Sequence, residues 1–186
     1  MNAAMERPVR PSGAGGMGWA GDMPEYSAPW SGLQKAISGL VTVILGVVTA
    51  ALFREPIPSG VRLLAVAGVV VILGIGLASM VLGYAIGDRE VLVRRPFRRT
   101  RLPLAGLVEV VAEPDLAWGA LRLFGNGGFL SSTGIFWNRR LGRFRLLANN
   151  TSTAVLLRYA DRRVVLSPAD PTGFAREVRL RAGLTG

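Results

Sequence analysis

Apolar positions form two long runs early in the chain. Residues 37–53 and 63–86 contain no charged side chain. At about 1.5 Å per residue, the second run is long enough to cross a hydrocarbon core about 30 Å thick. The first run reaches that length if its helix begins near Leu33 and Lys35 extends its ammonium back to the headgroups. The pattern predicts two transmembrane helices, at about residues 33–53 and 63–86.

The connection between the two runs is short and contains Pro56, Pro58 and Gly60. A linker of this length predicts an antiparallel helical hairpin, residues 33–86, with both chain ends on one side of the membrane. Arginines are sparse in the linker and dense directly after the second run. By the positive-inside rule, this asymmetry predicts that the N- and C-termini are cytoplasmic. The uncharged interiors of both runs disfavour a transporter or channel.

Residues 1–32 mix glycine, proline, serine and methionine without a periodic pattern. Such a segment cannot bury enough apolar surface to offset the entropy of ordering it, so we expect a flexible N-terminal tail. A cleaved signal peptide is disfavoured, because the first apolar run starts late, is too long and is followed by a second run.

After residue 87 the pattern changes to short stretches of β-branched and aromatic residues separated by turn-forming residues. Turn chemistry is clearest at Asn126-Gly127, Asn149-Asn150 and Asp161-Arg162. The predicted strands are 90–94, 99–102, 107–111, 121–124, 135–137, 143–148, 154–159 and 163–167.

A helical period follows the last predicted strand. Asp170 suits an N-cap and Pro171 suits the first helical position. Phe174 and Val178 lie one turn apart, on what would be the buried face of a helix over residues 171–181. The predicted fold is therefore a membrane-anchored domain with a bent antiparallel β-sheet or barrel closed by a C-terminal α-helix.

Three segments have a distinctive local sequence: residues 121–128 (LRLFGNGG), 138–144 (NRRLGRF) and 164–171 (VVLSPADP). Together with the order of the elements, they resemble the bacterial pleckstrin-homology (PH) domain membrane proteins over about residues 88–181. The resemblance implies a PH-like domain, for which a pair of N-terminal membrane helices is a frequent companion, in the bacterial inner membrane. One departure is Ser131-Ser132-Thr133, where the resemblance would place another glycine and an aromatic residue.

Composition narrows the chemistry that the chain can perform. It contains no cysteine and no histidine, which excludes disulfides, thiolate nucleophiles, zinc-type sites and imidazole bases. No catalytic residue, metal ligand or cofactor is predicted. The net charge is +10, and residues 88–186 hold 17 arginines against eight acidic residues. A basic excess beside two membrane helices favours anionic lipid rather than nucleic acid as the partner.

The strongest candidate site is an arginine cluster in the loop and strand ends that follow the second run. PH domains that bind phosphoinositides place basic residues in this loop, and the resemblance implies a loosely similar pattern here. Arginine suits phosphate because its planar fork donates two parallel hydrogen bonds. The alternative is that the cluster only anchors the second helix by its positive charge. The candidate headgroup-binding residues are Arg94, Arg95, Arg98, Arg99 and Arg101.

Weaker candidates have ordinary structural explanations. Residues 125–128 (GNGG) lack the lysine of a phosphate-binding loop and predict a hairpin turn. Residues 136–140 (FWNRR) are the one place that resembles a nucleic-acid surface, where exposed aromatic residues lie among basic ones, and its aromatic residues are better explained as core or interface residues. The acids Glu109, Glu113 and Asp115 are better explained as solvated residues at strand ends than as a catalytic pair.

Small residues recur within the apolar runs. Gly39 and Gly46 lie seven residues apart, as do Gly76 and Gly83. Residues at this spacing share a helix face, where glycine allows close approach of another helix. Either packing within the hairpin or a dimerisation seam would use such a face.

The sequence thus favours a non-enzymatic, membrane-anchored interaction module on the cytoplasmic face, acting in a complex with a membrane or cytoplasmic protein. The alternative is a lipid sensor whose basic loop binds anionic headgroups. An enzyme that uses the three carboxylates is a third hypothesis.

Overall fold

A computed structural model describes residues 23–127 and 129–184 of the 186-residue chain. Two long helices, α1 (Gly32–Arg54) and α2 (Ser59–Ser79), follow a short strand, β1 (Glu25–Ser27). The remaining strands are β2 (Gly83–Ile86), β3 (Glu90–Arg94), β4 (Arg99–Pro103), β5 (Leu107–Ala112), β6 (Leu121–Gly127), β7 (Ser132–Asn138), β8 (Gly142–Ala148), β9 (Val155–Tyr159) and β10 (Arg163–Leu166), and the closing helix is α3 (Pro171–Ala182).

Helices α1 and α2 are both long and apolar enough to cross a membrane. Ser31 caps the start of α1, where its hydroxyl accepts a hydrogen bond from the Gln34 amide at 3.1 Å. Large apolar side chains point outward along both helices, among them Leu40, Val47 and Ile75. An apolar surface of this extent suits lipid rather than water, which indicates a membrane location.

A tight turn joins the two helices. The Arg62 guanidinium donates to the carbonyl oxygens of Glu55 and Ile57, each at 3.4 Å. It also lies 5.5 Å from the centre of the Phe53 ring. Arg62 therefore bonds backbone carbonyls of the linker between α1 and α2.

The predicted end of the second helix was wrong. Helix α2 ends at Ser79, and residues 83–86 form strand β2 instead. All four β2 residues are buried, and the strand pairs with β1 on one side and β3 on the other. These residues lack charge because they lie in a protein core, and an apolar run alone does not distinguish that environment from lipid.

The predicted flexible tail also needs a correction. Residues 1–22 lie outside the described residues, but Glu25–Ser27 form β1 on the edge of β2. The Ala169 amide donates to the Ser27 carbonyl at 2.9 Å, and the Ile86 amide donates to the Pro24 carbonyl at 3.1 Å. Backbone pairing therefore orders a segment whose composition suggested none.

The strands form two sheets, with orders β1-β2-β3-β4 and β5-β9-β10-β8-β7-β6. All eight predicted strands are present, and β6 and β7 extend beyond their predicted limits. One pair departs from the predicted antiparallel arrangement, because β8 and β10 run parallel. The chain passes from β8 to β9, and the β9–β10 hairpin then inserts β10 between them.

Helix α3 closes the core as predicted. The Asp170 side chain accepts a hydrogen bond from the Gly173 amide at 2.9 Å, and Pro171 begins the helix. Phe174 is fully buried, with its ring edge-on to Tyr84 and Tyr26 at centroid distances of 5.8 and 5.1 Å. The helix therefore packs on β1 and β2, the strands that precede and follow the membrane helices.

A buried polar cluster of Tyr84, Asn149 and Ser167, here called the junction cluster, joins the helices to the domain. The Asn149 side-chain amide donates to the carbonyls of Ala28, before α1, and Val81, after α2, at 3.1 and 2.7 Å. The Tyr84 hydroxyl donates to the Leu147 carbonyl at 2.8 Å and accepts from the Ser167 amide at 3.0 Å. Burial raises the pKa of Tyr84 to about 12.

We predict that Asn149→Ala destabilises the protein by about 1–3 kcal/mol, because two buried carbonyls lose their donor. Asn150→Ala is the matched control, since its side chain accepts only from the exposed Ser152. That control should cost under about 1 kcal/mol. Thermal unfolding of the full chain in detergent measures both effects, and equal losses in the two variants would contradict the role of Asn149.

Candidate functional site

The β6–β7 hairpin docks against the domain-facing ends of both membrane helices. The Leu130 amide donates to the Ser38 hydroxyl of α1 at 3.0 Å. The Ser131 hydroxyl donates to the Ser79 carbonyl at the end of α2 at 2.6 Å. Ser131, where the family resemblance would place a different residue type, therefore bonds this hairpin to α2.

Gly76 of α2 receives the Phe129 ring of this hairpin. A Cβ atom added at Gly76 would lie 2.6 Å from Cδ1 of Phe129 and 3.1 Å from a methyl carbon of Leu130. No atom lies within 4 Å of the corresponding positions at Gly39, Gly46 or Gly74. Among the helix glycines named here, the one in close contact therefore faces the hairpin rather than the other helix.

Two glycines face each other where β6 and β7 pair. Gly125 and Gly134 are direct partners in the ladder, and Gly125 has φ 111°. A Cβ at Gly125 would lie 2.7 Å from the Cα of Gly134. The sheet therefore has no side chains at this point, which leaves open space above it on the side of α2.

An open cavity of about 620 Å³, here called the arginine pocket, lies between α2 and strands β6, β7 and β8. Four guanidinium groups line it, from Arg95 and Arg98 in the β3–β4 loop, Arg122 on β6 and Arg145 on β8. Its other wall is apolar and consists of Ile72, Ile75, Phe124 and Phe129.

Arg95 is the buried member of the arginine pocket. Its residue is 6% exposed, and its Nε has no hydrogen-bond partner. Burial, followed by the charges of Arg98 and Arg145, lowers the pKa of Arg95 to about 10. Burial and the Arg98 charge also lower the pKa of Arg145. The three cations therefore lie close enough to repel one another, and an anion would relieve that repulsion.

Several arginines elsewhere in the domain have acidic partners. Arg94 pairs with Glu25 at 2.9 Å, and Arg158 pairs with Glu109 at 3.2 Å. In the part of the chain that the structure describes, no salt bridge involves an arginine of the pocket. No carboxylate is among the residues that line the pocket. The pocket is therefore a concentration of unneutralised positive charge.

The five predicted headgroup residues divide between two places. Arg95 and Arg98 line the arginine pocket. Arg94 pairs with β1, Arg99 lies on β4 beside Arg94, and Arg101 is exposed and lies 3.8 Å from Glu90. Headgroup binding by any of the five stays a prediction, but only two share a cavity.

Sequence reasoning missed Arg122 and Arg145. They lie far from the cluster along the chain and reach the pocket only through strand pairing, in which Arg145 is opposite Ile135 of β7. A signal for Arg145 exists in the strand pattern. It stands between Phe144 and Leu146, both buried, so alternation places it on the opposite face.

Several weaker candidates have structural roles. Glu109 and Glu113 pair with Arg158 and Arg140, and neither lines the arginine pocket. Phe136 is buried and stacks on Phe144 with ring centroids 6.3 Å apart, so it belongs to the core. The predicted turn at Asn126-Gly127 was wrong, because β6 continues through both residues.

The prediction that two pairs of glycines share helix faces also needs a correction. Gly83 lies in β2 rather than in a helix, so it shares no helix face with Gly76. Gly39 and Gly46 face open space, and their use in a dimerisation seam stays a prediction.

We predict that Gly76→Leu undocks the β6–β7 hairpin, because the new side chain takes the place of the Phe129 ring. Amide hydrogen exchange of Leu130 should then accelerate by about tenfold or more, since its hydrogen bond to Ser38 is lost. Gly74→Leu, two residues away in open space, is the matched control and should leave that exchange unchanged. Unaltered exchange in Gly76→Leu would contradict the docking.

Comparison with known proteins gives one match. A family model described as Bacterial PH domain matches residues 82–182, which is more than half of the chain. No curated protein and no solved structure matches the chain. The matched segment begins just before β2 and ends with α3.

Proposed function

Because the chain belongs to the bacterial PH domain family, we propose that it is a non-enzymatic, membrane-anchored interaction module whose arginine pocket binds the headgroups of anionic lipids. The observation that carries this proposal is the position of four arginines, without a carboxylate, against the end of a helix suited to span a membrane.

Charge supports an anionic partner. Each arginine near an anionic leaflet contributes on the order of 1 kcal/mol, and a desolvated, bidentate contact contributes more. Arg95 is buried with an unpaired donor, which costs about 1–3 kcal/mol until an acceptor arrives. A phosphate oxygen is an acceptor of the required charge and geometry.

Location supports a lipid as that partner. The pocket opens beside Ile72 and Ile75, whose side chains are exposed on the outer surface of α2. Together with the excess of arginine after α2, the positive-inside rule favours a cytoplasmic domain, on the side where anionic lipids are enriched. A headgroup in that leaflet would lie at the level where α2 ends.

Absence of catalytic chemistry supports a binding role. The whole sequence lacks the cysteine and histidine that most often act as nucleophile or base. The acids considered as catalysts are engaged with arginines or lie away from the pocket.

Lipid retention by the full chain in neutral detergent tests this proposal. Titration with phosphatidylglycerol and phosphatidylcholine, followed by native mass spectrometry, should show at least about tenfold tighter retention of the anionic lipid. Combining Arg95→Gln with Arg145→Gln should lower that retention by about tenfold, because charged hydrogen bonds of about 1.5–3 kcal/mol are lost.

The matched control combines Arg99→Gln with Arg101→Gln, which removes the same charge outside the pocket. Retention by this control should stay within about twofold of the natural chain, since exposed charges contribute little. Equal losses in both double variants would indicate diffuse surface attraction and contradict pocket binding. Equal retention of the two lipids by the natural chain would overturn the proposed function.

A protein-binding role is the second candidate, and the edge of the six-stranded sheet favours it. Strand β6 is an edge strand on which Leu121 and Leu123 are exposed, and Trp118 just before it is 78% exposed. Arginines and Pro103 protect the β4 edge, and Arg179 of α3 donates to the Val110 carbonyl of β5. An unprotected apolar edge suits addition of a strand from a partner.

We predict that Leu121→Glu removes proteins that co-purify with the chain from solubilised membranes, because a charge replaces an apolar contact. Val108→Glu is the control, since it changes an exposed apolar residue on β5, at the opposite edge. An identical set of co-purifying proteins from the natural chain and Leu121→Glu would contradict a role for β6.

A further inference from the structure

We infer that the arginine pocket holds a single lipid whose headgroup ends in a phosphomonoester, with its acyl chains along α2. This inference rests on the proposed function and makes it more specific. It concerns which anionic headgroup the pocket accepts, and it predicts one lipid bound at a defined place rather than a general attraction to the leaflet.

Charge balance favours a phosphomonoester. Four arginines and no carboxylate line the pocket. A phosphodiester headgroup supplies a charge of −1, whereas a phosphomonoester supplies about −1.5 to −2 at pH 7. Surrounding guanidinium groups favour the second ionisation further. The monoester therefore neutralises up to twice as much of the positive charge that these arginines bring together.

The number of hydrogen bonds that the headgroup can accept also favours a phosphomonoester. A phosphodiester presents two free oxygens, and a phosphomonoester presents three. Each guanidinium carries five N–H donors in a planar fork, and three forks from different directions suit three terminal oxygens. Arg95, Arg98 and Arg145 come from two separate segments, and the buried Nε of Arg95 lacks an acceptor.

The apolar wall identifies the ligand as a lipid rather than a soluble phosphate. Ile72 lies seven residues before the end of α2, which is about 10 Å along the helix. Its side chain and those of Ile75, Phe124 and Phe129 line the same cavity as the arginines. Three of the four are exposed by 46% or more, so acyl chains would cover apolar surface that a soluble phosphate leaves in water.

The shape of the cavity is built into the fold. The Gly125–Gly134 pair leaves the sheet without side chains beneath the cavity, and Phe129 seats on Gly76 at its edge. The volume of about 620 Å³ exceeds what a lone phosphate needs and leaves room for the glycerol and the first acyl carbons.

Phosphatidic acid, phosphatidylglycerol and phosphatidylcholine with identical acyl chains are the probes, with the full chain in neutral detergent. Native mass spectrometry at pH 7.5 should show one phosphatidic acid retained at least about tenfold more tightly than phosphatidylglycerol. Preference for phosphatidic acid should disappear in the Arg95→Gln, Arg145→Gln double variant and persist in the Arg99→Gln, Arg101→Gln control.

Acidification provides an independent readout. At pH 5 the unbound phosphomonoester holds its second proton, because its second pKa is about 6. Binding it as a dianion then requires release of that proton, so the advantage over phosphatidylglycerol should fall to about threefold or less. The ionisable groups that face the ligand are Arg95, Arg98, Arg122 and Arg145, with the Tyr84 hydroxyl near Arg95, and no carboxylate is among the residues that line the pocket.

The outcomes separate this inference from the proposed function. Equal retention of phosphatidic acid and phosphatidylglycerol, with both above phosphatidylcholine, overturns the phosphomonoester and leaves headgroup binding intact. Equal retention of all three lipids overturns both. Displacement of the lipid by millimolar glycerol 3-phosphate overturns the lipid as ligand in favour of a soluble phosphomonoester. Persistence of the full preference at pH 5 also counts against the inference.

Discussion

The rest of the structure depends on one buried side-chain amide. Asn149 bonds the chain just before α1 and just after α2, and its own backbone amide bonds Ser167 at 3.0 Å. Because the same amide holds both carbonyls, the two helices must start and finish at one place on the domain. The short linker makes the hairpin antiparallel, and the Asn149 bonds fix where its two ends meet the domain, which places β2 in the core and α2 beside the arginine pocket.

The domain could be predicted closely because its elements carry local signals. Strand β3 and the first residue of α3 were predicted at their observed positions, since alternation and the Asp170–Pro171 cap act over a few residues. Strands β1 and β2 could not be predicted. The first is three residues long, and the second continues an apolar run, so only tertiary pairing distinguishes it from a membrane helix.

Two of the four arginines of the pocket could be predicted from the sequence, because they too carry a local signal. Arg95 and Arg98 belong to a visible cluster, and a phosphate-binding role follows from their residue type. Sequence cannot show that Arg94 turns to Glu25 while Arg95 turns into the arginine pocket, because neighbouring residues at a strand end point to opposite faces. Arg122 and Arg145 join the pocket through pairing across three strands, which depends on long-range contacts.

The contact between Phe129 and Gly76 has an evolutionary consequence. Many membrane anchors are interchangeable, since any apolar helix of adequate length serves. Here α2 must keep a glycine facing the hairpin, and α1 must keep a small hydroxyl residue at position 38 to accept the Leu130 amide. The sequences of the helices and of the hairpin are therefore expected to covary. Grafting this domain onto a foreign membrane anchor would remove the contacts that hold the β6–β7 hairpin against the helices.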